Sequence, residues 1–366
     1  MKSTNLTEGN KITEKPFGHL SSGEAVQLFE LTNRSGTKIS ISNYGAIIVS
    51  LSVIDNSGEF DDIVLGYSSA EDYENDTYYL GGVIGRYAGR IKNGKVSINA
   101  KEYQLTLNAG NSQLHGGFKG LNKRLWQASK AVTDSSVCLT LNYTSPDGEE
   151  GFPGTVNLTV QYTLFDNNAL EIEYFANTDQ ATIINLTQHS YFNLAGHASG
   201  NINDHKLTLN ASHFLPMNDE VYPTGDLMPV TETVHDFRKS KRIGDDIDSN
   251  DAQIIIGKGY DNYWLLNDAA SKYIEFSAIL EEPNSGRRMT IYTDQPSMII
   301  YTANYIDGSH AGKNNVRYQA RSALCLEPVR AVTKEYINDL TPVMLQPDTP
   351  FYSKTRYQFD TIKPKA

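Results

Sequence analysis

The chain has 366 residues, 39% of them hydrophobic and 20% charged, with 22 tyrosines against 2 tryptophans and a formal net charge of −11. That is enough apolar sequence for a large core and excludes a disordered chain, while scattered lysines and arginines under a negative total argue against nucleic acid or an anionic membrane as partner. No apolar run approaches a bilayer-spanning length, and Cys138 and Cys325 are too few for a disulfide framework, so a reducing cytoplasm is the expected compartment.

The N-terminal "MKSTNLTEGNKITEKPFGHL" is polar and has no apolar segment of the signal-peptide kind. "IVSLSVID" then alternates with period two and stops at Asn56-Ser57-Gly58, which reads as a strand and a turn. "SSAEDYENDTYY" has the composition of a short helix. The following "GGVIGRYAGR" is glycine-rich but lacks the spacing and the helix of a dinucleotide loop. If this segment is a strand, Arg86 and Arg90 share one face, and each offers a planar fork of donors for carboxylates, vicinal hydroxyls or a structural ion pair.

"NSQLHGGFKG" places His115 in a polar loop suited to close contact with a ligand, or simply to solvent. Next, "VCLTLNYT" alternates again, with turn signals at Pro146-Asp147-Gly148 and Pro153-Gly154. "VNLTVQYTL" puts Val156, Leu158, Val160, Tyr162 and Leu164 on one face, turns through "FDNNA" and alternates back in "LEIEYFAN", a β-hairpin. "HKLTLNA", "IEFSAIL" and "MTIYTDQ" behave alike, with a turn at Asn284-Ser285-Gly286, and "RAVTKEYINDL" is a second short helix candidate. With no repeat, no low-complexity tract and no linker, the pattern predicts one large, mainly antiparallel all-β domain, a sandwich of many strands.

Chemistry concentrates in three places. "LTQHSYFNLAG" sets His189 among Gln188, Ser190 and Tyr191, polar side chains that cannot all face a core without partners. "KGYDNYWLL" flanks Asp261 with aromatic rings, an arrangement fit for a sugar or for an ordinary turn. "SALCLEPVRAV" ends an apolar run on Glu327, a carboxyl that is either desolvated enough to serve as a general base or turned outward at the sheet edge. His189, His197, His205 and His213 recur every eight residues, but turn signals interrupt them and the spacing is not that of metal ligands; no metal is expected. No serine nucleophile elbow or reactive-cysteine signature is present.

With "GRYAGRI", "LHGG", "SPDGEEGFPG", "TQHSYFNLAG", "GYDN" and "CLEP" in that order, the chain resembles the aldose 1-epimerase (galactose mutarotase) family from about Phe17 to Phe359, leaving a polar segment 1–16. The resemblance implies a single domain with a large antiparallel β-supersandwich fold and few short helices. It implies a reaction in which the anomers of a free aldose such as galactose or glucose exchange through the open-chain aldehyde. Carried over by motif, Glu327 takes the proton of the C1 hydroxyl and His189 protonates the ring oxygen, with Gln188, Ser190 and Tyr191 lying around it in a sugar-facing pocket. Arg90, His115, Tyr191 and Asp261 match sugar-binding positions, and neither cofactor nor metal is needed.

The expected partner is a free monosaccharide, the expected state a monomer or weak homodimer. Two departures remove amides from the sugar site. Gly89 stands where the family often has asparagine, and Ile299 or Ile300 where it often has glutamine. Competing readings are an epimerase of another aldose or of a phosphorylated hexose, which would want more cations around the pocket, a sugar-binding module without turnover, and a glycoside hydrolase, which would want two carboxylates.

Overall fold

A computed structural model describes residues 9–267, 273–334 and 340–362. The alternation read from the sequence is the pleat of three antiparallel sheets. In the largest, nine strands run in the spatial order Gln127–Val132, Ser136–Ser145, Val156–Phe165, Ala169–Thr178, Phe351–Thr361, Arg287–Thr293, Glu275–Glu281, Lys206–Leu209 and Lys241–Arg242. A six-stranded sheet has the order Tyr191–Phe192, Leu324–Val329, Ser297–Tyr301, Asp261–Leu266, Ala211–Leu215 and Met228–Pro229. Five strands in sequence order, from Lys11–His19 to Phe60–Asp62, form the third.

The predicted hairpin closes with Leu164 opposite Leu170, and its face of Val156, Leu158, Val160, Tyr162 and Leu164 is buried. Each such side chain contributes about 1.5–3 kcal/mol on full burial. The main core gathers these residues with Ile39 and Leu51 of the five-stranded sheet and with Trp264, Met298, Ile300 and Leu326 of the six-stranded one. The intervening residues of that last sheet, Tyr263, Ile299, Tyr301 and Cys325, belong to a second cluster on its other face. A sheet covered on both faces has no use for alternation, which is why "ALCL" reads as a continuous apolar run.

Helix is scarce. Within "SSAEDYENDTYY" only Ala70–Glu74 is helical, capped by Ser69 Oγ, which accepts the Asp72 N–H at 3.2 Å. A second helix, Ala252–Gly257, was not anticipated; Asp251 caps it by accepting from the Gln253 and Ile254 amides. The helix expected in "RAVTKEYINDL" falls in part on 335–339, outside the described residues, and its described flanks are not helical.

The expectation that Arg86 and Arg90 share a strand face fails. Val83–Ile84 pairs with Thr187–Gln188, Arg90–Lys92 pairs with Ser112–Leu114, and the chain turns between them. Arg86 is instead buried, and its guanidinium donates five hydrogen bonds of 2.8–3.0 Å to Ser145 Oγ and to the carbonyls of Ser145, Pro146, Pro153 and Gly154. This accounts for "SPDGEEGFPG": it is the carbonyl cage that holds Arg86, and through it the loop leading to Arg90.

Candidate active site

Register alone builds one wall of a cavity. Across four strands of the six-stranded sheet, Leu215, Tyr263, Ile299 and Glu327 stand side by side, and Asp261, Tyr301, Cys325 and Tyr191 form the next row. Residues two apart on a strand share a face, so both rows point the same way. Ile300 points into the main core, so Ile299 is the cavity residue of that pair. Loops carrying Tyr78 and Tyr79, Gly89 and Arg90, and Leu114 and His115 supply the opposite wall, enclosing about 290 Å³.

His189 lies at the centre. Its Nε2 is 3.6 Å from Glu327 Oε1, and its Nδ1 is 3.6 Å from Cys325 Sγ. The imidazole is stacked between Tyr191, 5.0 Å away, and Tyr79, 6.0 Å away, and it meets His115 edge-on at 5.3 Å. Three rings thus fix its plane, while both nitrogens remain near groups able to exchange a proton.

His115 is held by its neighbour. Its N–H donates to Gly89 O at 3.0 Å, and its Nδ1 accepts the Gly89 N–H at 3.2 Å. Nδ1 therefore carries no proton, and the neutral ring presents an Nε2–H donor. The next residue must be glycine: Gly116 has φ +89, and a Cβ there would stand 1.8 Å from Gly85 O.

Burial dominates the electrostatics. It pushes His189 down to about 4 and His115 well below the usual imidazole range, the latter helped by the nearby His189 and Arg90 charges. Glu327 is pushed well above the carboxylate range, first by burial and then by Asp261. Asp261 is raised to about 7 by burial, against the pull of Arg90. A buried carboxyl and a buried imidazole 3.6 Å apart both resist charge, so they rest as carboxylic acid and neutral ring. Hydrogen bonds from a ligand to the carboxyl favour the carboxylate–imidazolium arrangement instead. Either way the pair holds one mobile proton, which gives the site one acceptor and one donor.

Among the described residues, three groups in this cavity are left without a hydrogen-bond or ion-pair partner. Glu327 Oε2 is buried and makes no hydrogen bond. Among the described residues, no hydrogen bond or ion pair engages the side chains of Arg90 or Asp261 either. Glu327 is buried and Arg90 and Asp261 are half-buried at the cavity wall, and such an unsatisfied set around one cavity marks a ligand site.

All six residues singled out from the sequence, Glu327, His189, Arg90, His115, Tyr191 and Asp261, line this one cavity. Gln188 and Ser190 do not. The Gln188 amide accepts from Tyr162 Oη at 2.8 Å and donates to Gly81 O, and Ser190 Oγ is buried elsewhere without a partner. Alternation explains it: 188 and 190 point away from the side that carries His189 and Tyr191. The Tyr191 hydroxyl is also engaged, donating to Tyr78 O at 2.7 Å, so its ring rather than its oxygen faces the cavity. The sequence reading missed Tyr78, Tyr79, Tyr263, Tyr301 and Tyr305, all in the lining; the signal was there in the excess of tyrosine.

Of the regularly spaced histidines, His197 pairs with Tyr318 Oη at 3.0 Å and His205 Nε2 accepts the Leu194 N–H at 2.9 Å, while His213 is exposed. They gather no common site. The described residues do contain one cluster with ligand atoms within 4.8 Å of one another, His189, Cys325 and Glu327, which is the acid–base pair itself with its adjacent thiol.

A β-supersandwich whose cavity sets a carboxyl against an imidazole, with spare hydrogen-bonding groups around them, is the architecture of an acid–base enzyme for a small polar ligand. The aldose 1-epimerase family model matches residues 27–358. Galactose mutarotase of Homo sapiens is 38% identical over 349 residues, 95% of this chain and 98% of the human one. Aldose 1-epimerase of Escherichia coli strain K12 is 32% identical over 345 residues, 92% of this chain and 96% of its own. The crystal structure of galactose 1-epimerase from Lactobacillus acidophilus NCFM superposes with a TM-score of 0.85 at 27% identity, covering 96% of this chain and 99% of that one. The chain belongs to the aldose 1-epimerase family and is an isomerase.

Proposed function

We propose that this protein interconverts the α and β anomers of free aldohexoses, galactose and glucose among them. Glu327 takes the proton from the C1 hydroxyl while His189 delivers one to the ring oxygen, and the C1–O5 bond opens. Rotation about C1–C2 presents the other face of the aldehyde, the two groups reverse roles, and the ring closes as the other anomer. Arg90, His115 and Asp261 hold the sugar hydroxyls, and Tyr191 offers its ring to the C–H face.

The observation that carries this reading is the set of partnerless groups, Glu327 Oε2 with Arg90 and Asp261, around a pair that holds one mobile proton. A binding module would need no such pair. Among the described residues, Arg90 is the only lysine or arginine in the lining, which favours a neutral sugar over a phosphorylated one. The same reading includes a monomer or weak homodimer in the cytoplasm, a compartment that agrees with two free thiols.

The test is the decay of optical rotation of freshly dissolved α-D-galactose and α-D-glucose with and without the protein. Acceleration well above the spontaneous rate supports the reading; none with either sugar removes it. Glu327→Gln keeps the shape and removes the base, so turnover should fall by about 10³-fold or more while sugar still binds. A variant close to the wild-type rate would dismiss Glu327 as the base.

A further inference from the structure

Gly89, directly before Arg90, has φ +111, and a Cβ placed on it would stand 2.5 Å from the hydroxyl oxygen of Tyr263. No real side chain tolerates that distance, so the phenol of Tyr263 occupies the volume that a side chain at 89 would need. The next nearest atoms to such a Cβ are at 3.4 Å, on Tyr87, and 3.8 Å, on the Tyr263 ring itself. Among neighbouring atoms the clash is with the hydroxyl alone, added to the backbone strain that the positive φ imposes on any side chain there.

That hydroxyl has no use within the protein. Tyr263 is 6% exposed and lines the cavity, yet among the described residues nothing hydrogen-bonds to its oxygen. The ring is buried while the hydroxyl faces the cavity, where a tyrosine oxygen is free to hydrogen-bond a bound molecule. Its neighbours in the sheet row are Leu215 on one side and Ile299 on the other, both apolar. Ile299 separates it from Glu327 in that row, so it does not partner the base. The chain therefore gives up a side chain at 89 to seat a phenol whose oxygen opens onto the cavity and is available to a ligand.

We propose that Tyr263 is a specificity-determining residue whose hydroxyl bonds one ring hydroxyl of the aldose, with Gly89 present to make room for it. This rests on the mutarotase reading given above. The phenol selects a sugar bearing a hydroxyl at the position it faces, and the adjoining Ile299 leaves no second donor there. Selection by a site group that loses its partner when the hydroxyl is missing is stronger than selection by shape.

The experiment measures kcat and KM by polarimetry for wild type and Tyr263→Phe with galactose, glucose and their 2-, 3-, 4- and 6-deoxy analogues. The expected result is a KM raised about 5–10-fold in Tyr263→Phe, the size of one lost hydrogen bond, with kcat within about twofold. One deoxy sugar should bind wild type and variant equally, since it lacks the hydroxyl in question.

A KM unchanged for every sugar, or raised equally for every deoxy analogue, would overturn the proposal and leave Tyr263 as wall. Wild type inactive on all the sugars would instead refute the mutarotase reading. In that event, calorimetric titration of galactose and glucose into wild type and Tyr263→Phe decides the inference by itself: weaker binding to the variant sustains it, and equal or absent binding rejects it.

A second test needs no deoxy sugar. Gly89→Ala introduces the same backbone strain in both backgrounds but meets the hydroxyl only in wild type. Gly89→Ala should thus lose more affinity in wild type than in Tyr263→Phe, and equal losses would count against the pairing of the two positions.

Discussion

At the residue scale, what distinguishes the site is how far burial moves each group and in which direction. His189 is depressed to about 4 and Glu327 is raised well above its usual range, so the state with one shared proton begins below the usual imidazole range and ends above the usual carboxylate range. The expected kcat profile is a plateau. It falls near pH 4, where His189 gains a second proton for the pair and no base remains, and falls again well above the usual carboxylate range, where Glu327 loses the last one and no acid remains. A bell centred on an ordinary carboxylate and an ordinary imidazole would contradict this. Asp261, whose charge also raises Glu327, is itself raised by burial to about 7. Because its folded-state value is raised, its favourable contribution to stability is complete below the unfolded value near 4 and is lost as pH rises through about 7. Sugar binding runs the other way, since the carboxylate is the better acceptor. Asp261→Asn should therefore weaken binding and abolish any fall in KM between pH 6 and 8, yet raise stability at pH 8 by about 1–2 kcal/mol, a figure reduced because the carboxyl opens onto the cavity. Thermal melts of both proteins at pH 5 and pH 8 check the stability half; a variant no more stable at pH 8 would refute it.

At the scale of elements, the site depends on loops being held by groups that never touch a ligand. Arg86 ties the turn at 145–154 to the segment that presents Gly89 and Arg90, and all five of its N–H donors are used. Lysine has three donors and no fork, so Arg86→Lys leaves buried carbonyls bare; the expected loss is about 2–4 kcal/mol, read as a lower urea midpoint. If that variant unfolded at the wild-type midpoint, the cage would be dispensable. Arg86 also shows where the sequence ceased to be legible. Period-two patterning located the strands and the hairpin 156–178, and unusual polar groups in apolar runs located Glu327 and His189. The same patterning misplaced Arg86 because a turn, invisible to alternation, divides 83–92. The pocket placement of Gln188 and Ser190 comes from the family resemblance alone, and alternation within "TQHSY" turns both away from His189 and Tyr191. Tyr79 and Tyr263 went unseen for a different reason: nothing local marks them, and only the packing of distant loops and strands brings them to the cavity.

At the scale of the whole molecule, the last described strand decides whether the chain is one unit. Phe351–Thr361 is not an edge: it pairs with Ala169–Thr178 on one side and Arg287–Thr293 on the other, in the middle of the nine-stranded sheet. It buries Tyr357 and Phe359 in the main core, and Arg356 and Lys354 pair with Glu171 across the ladder. Without it, the two halves of the sheet face each other with open edges, and the buried Glu171 loses both cations. Two core aromatics and two ladders of hydrogen bonds together exceed the about 5–15 kcal/mol that holds a typical domain folded. A chain ending at Pro350 should therefore not fold to a smaller native protein. It should lose the near-UV circular dichroism and the cooperative melt altogether, even though every residue lining the cavity is still present. A truncated chain that melted cooperatively would mean that the halves are separate units. The milder Tyr357→Ala, expected to lose about 3–5 kcal/mol, keeps the ladder and tests the core alone; in that variant a single transition at lower temperature is the mark of one cooperative unit, and two transitions would divide it. Closing a sheet through strands some 180 residues apart, such as Ala169–Thr178 and Phe351–Thr361, also places this pairing among long-range contacts, which form slowly. Refolding of the intact chain should accordingly wait for this strand, and Tyr357→Ala should slow refolding if the strand is docked in the transition state or speed unfolding if it is not.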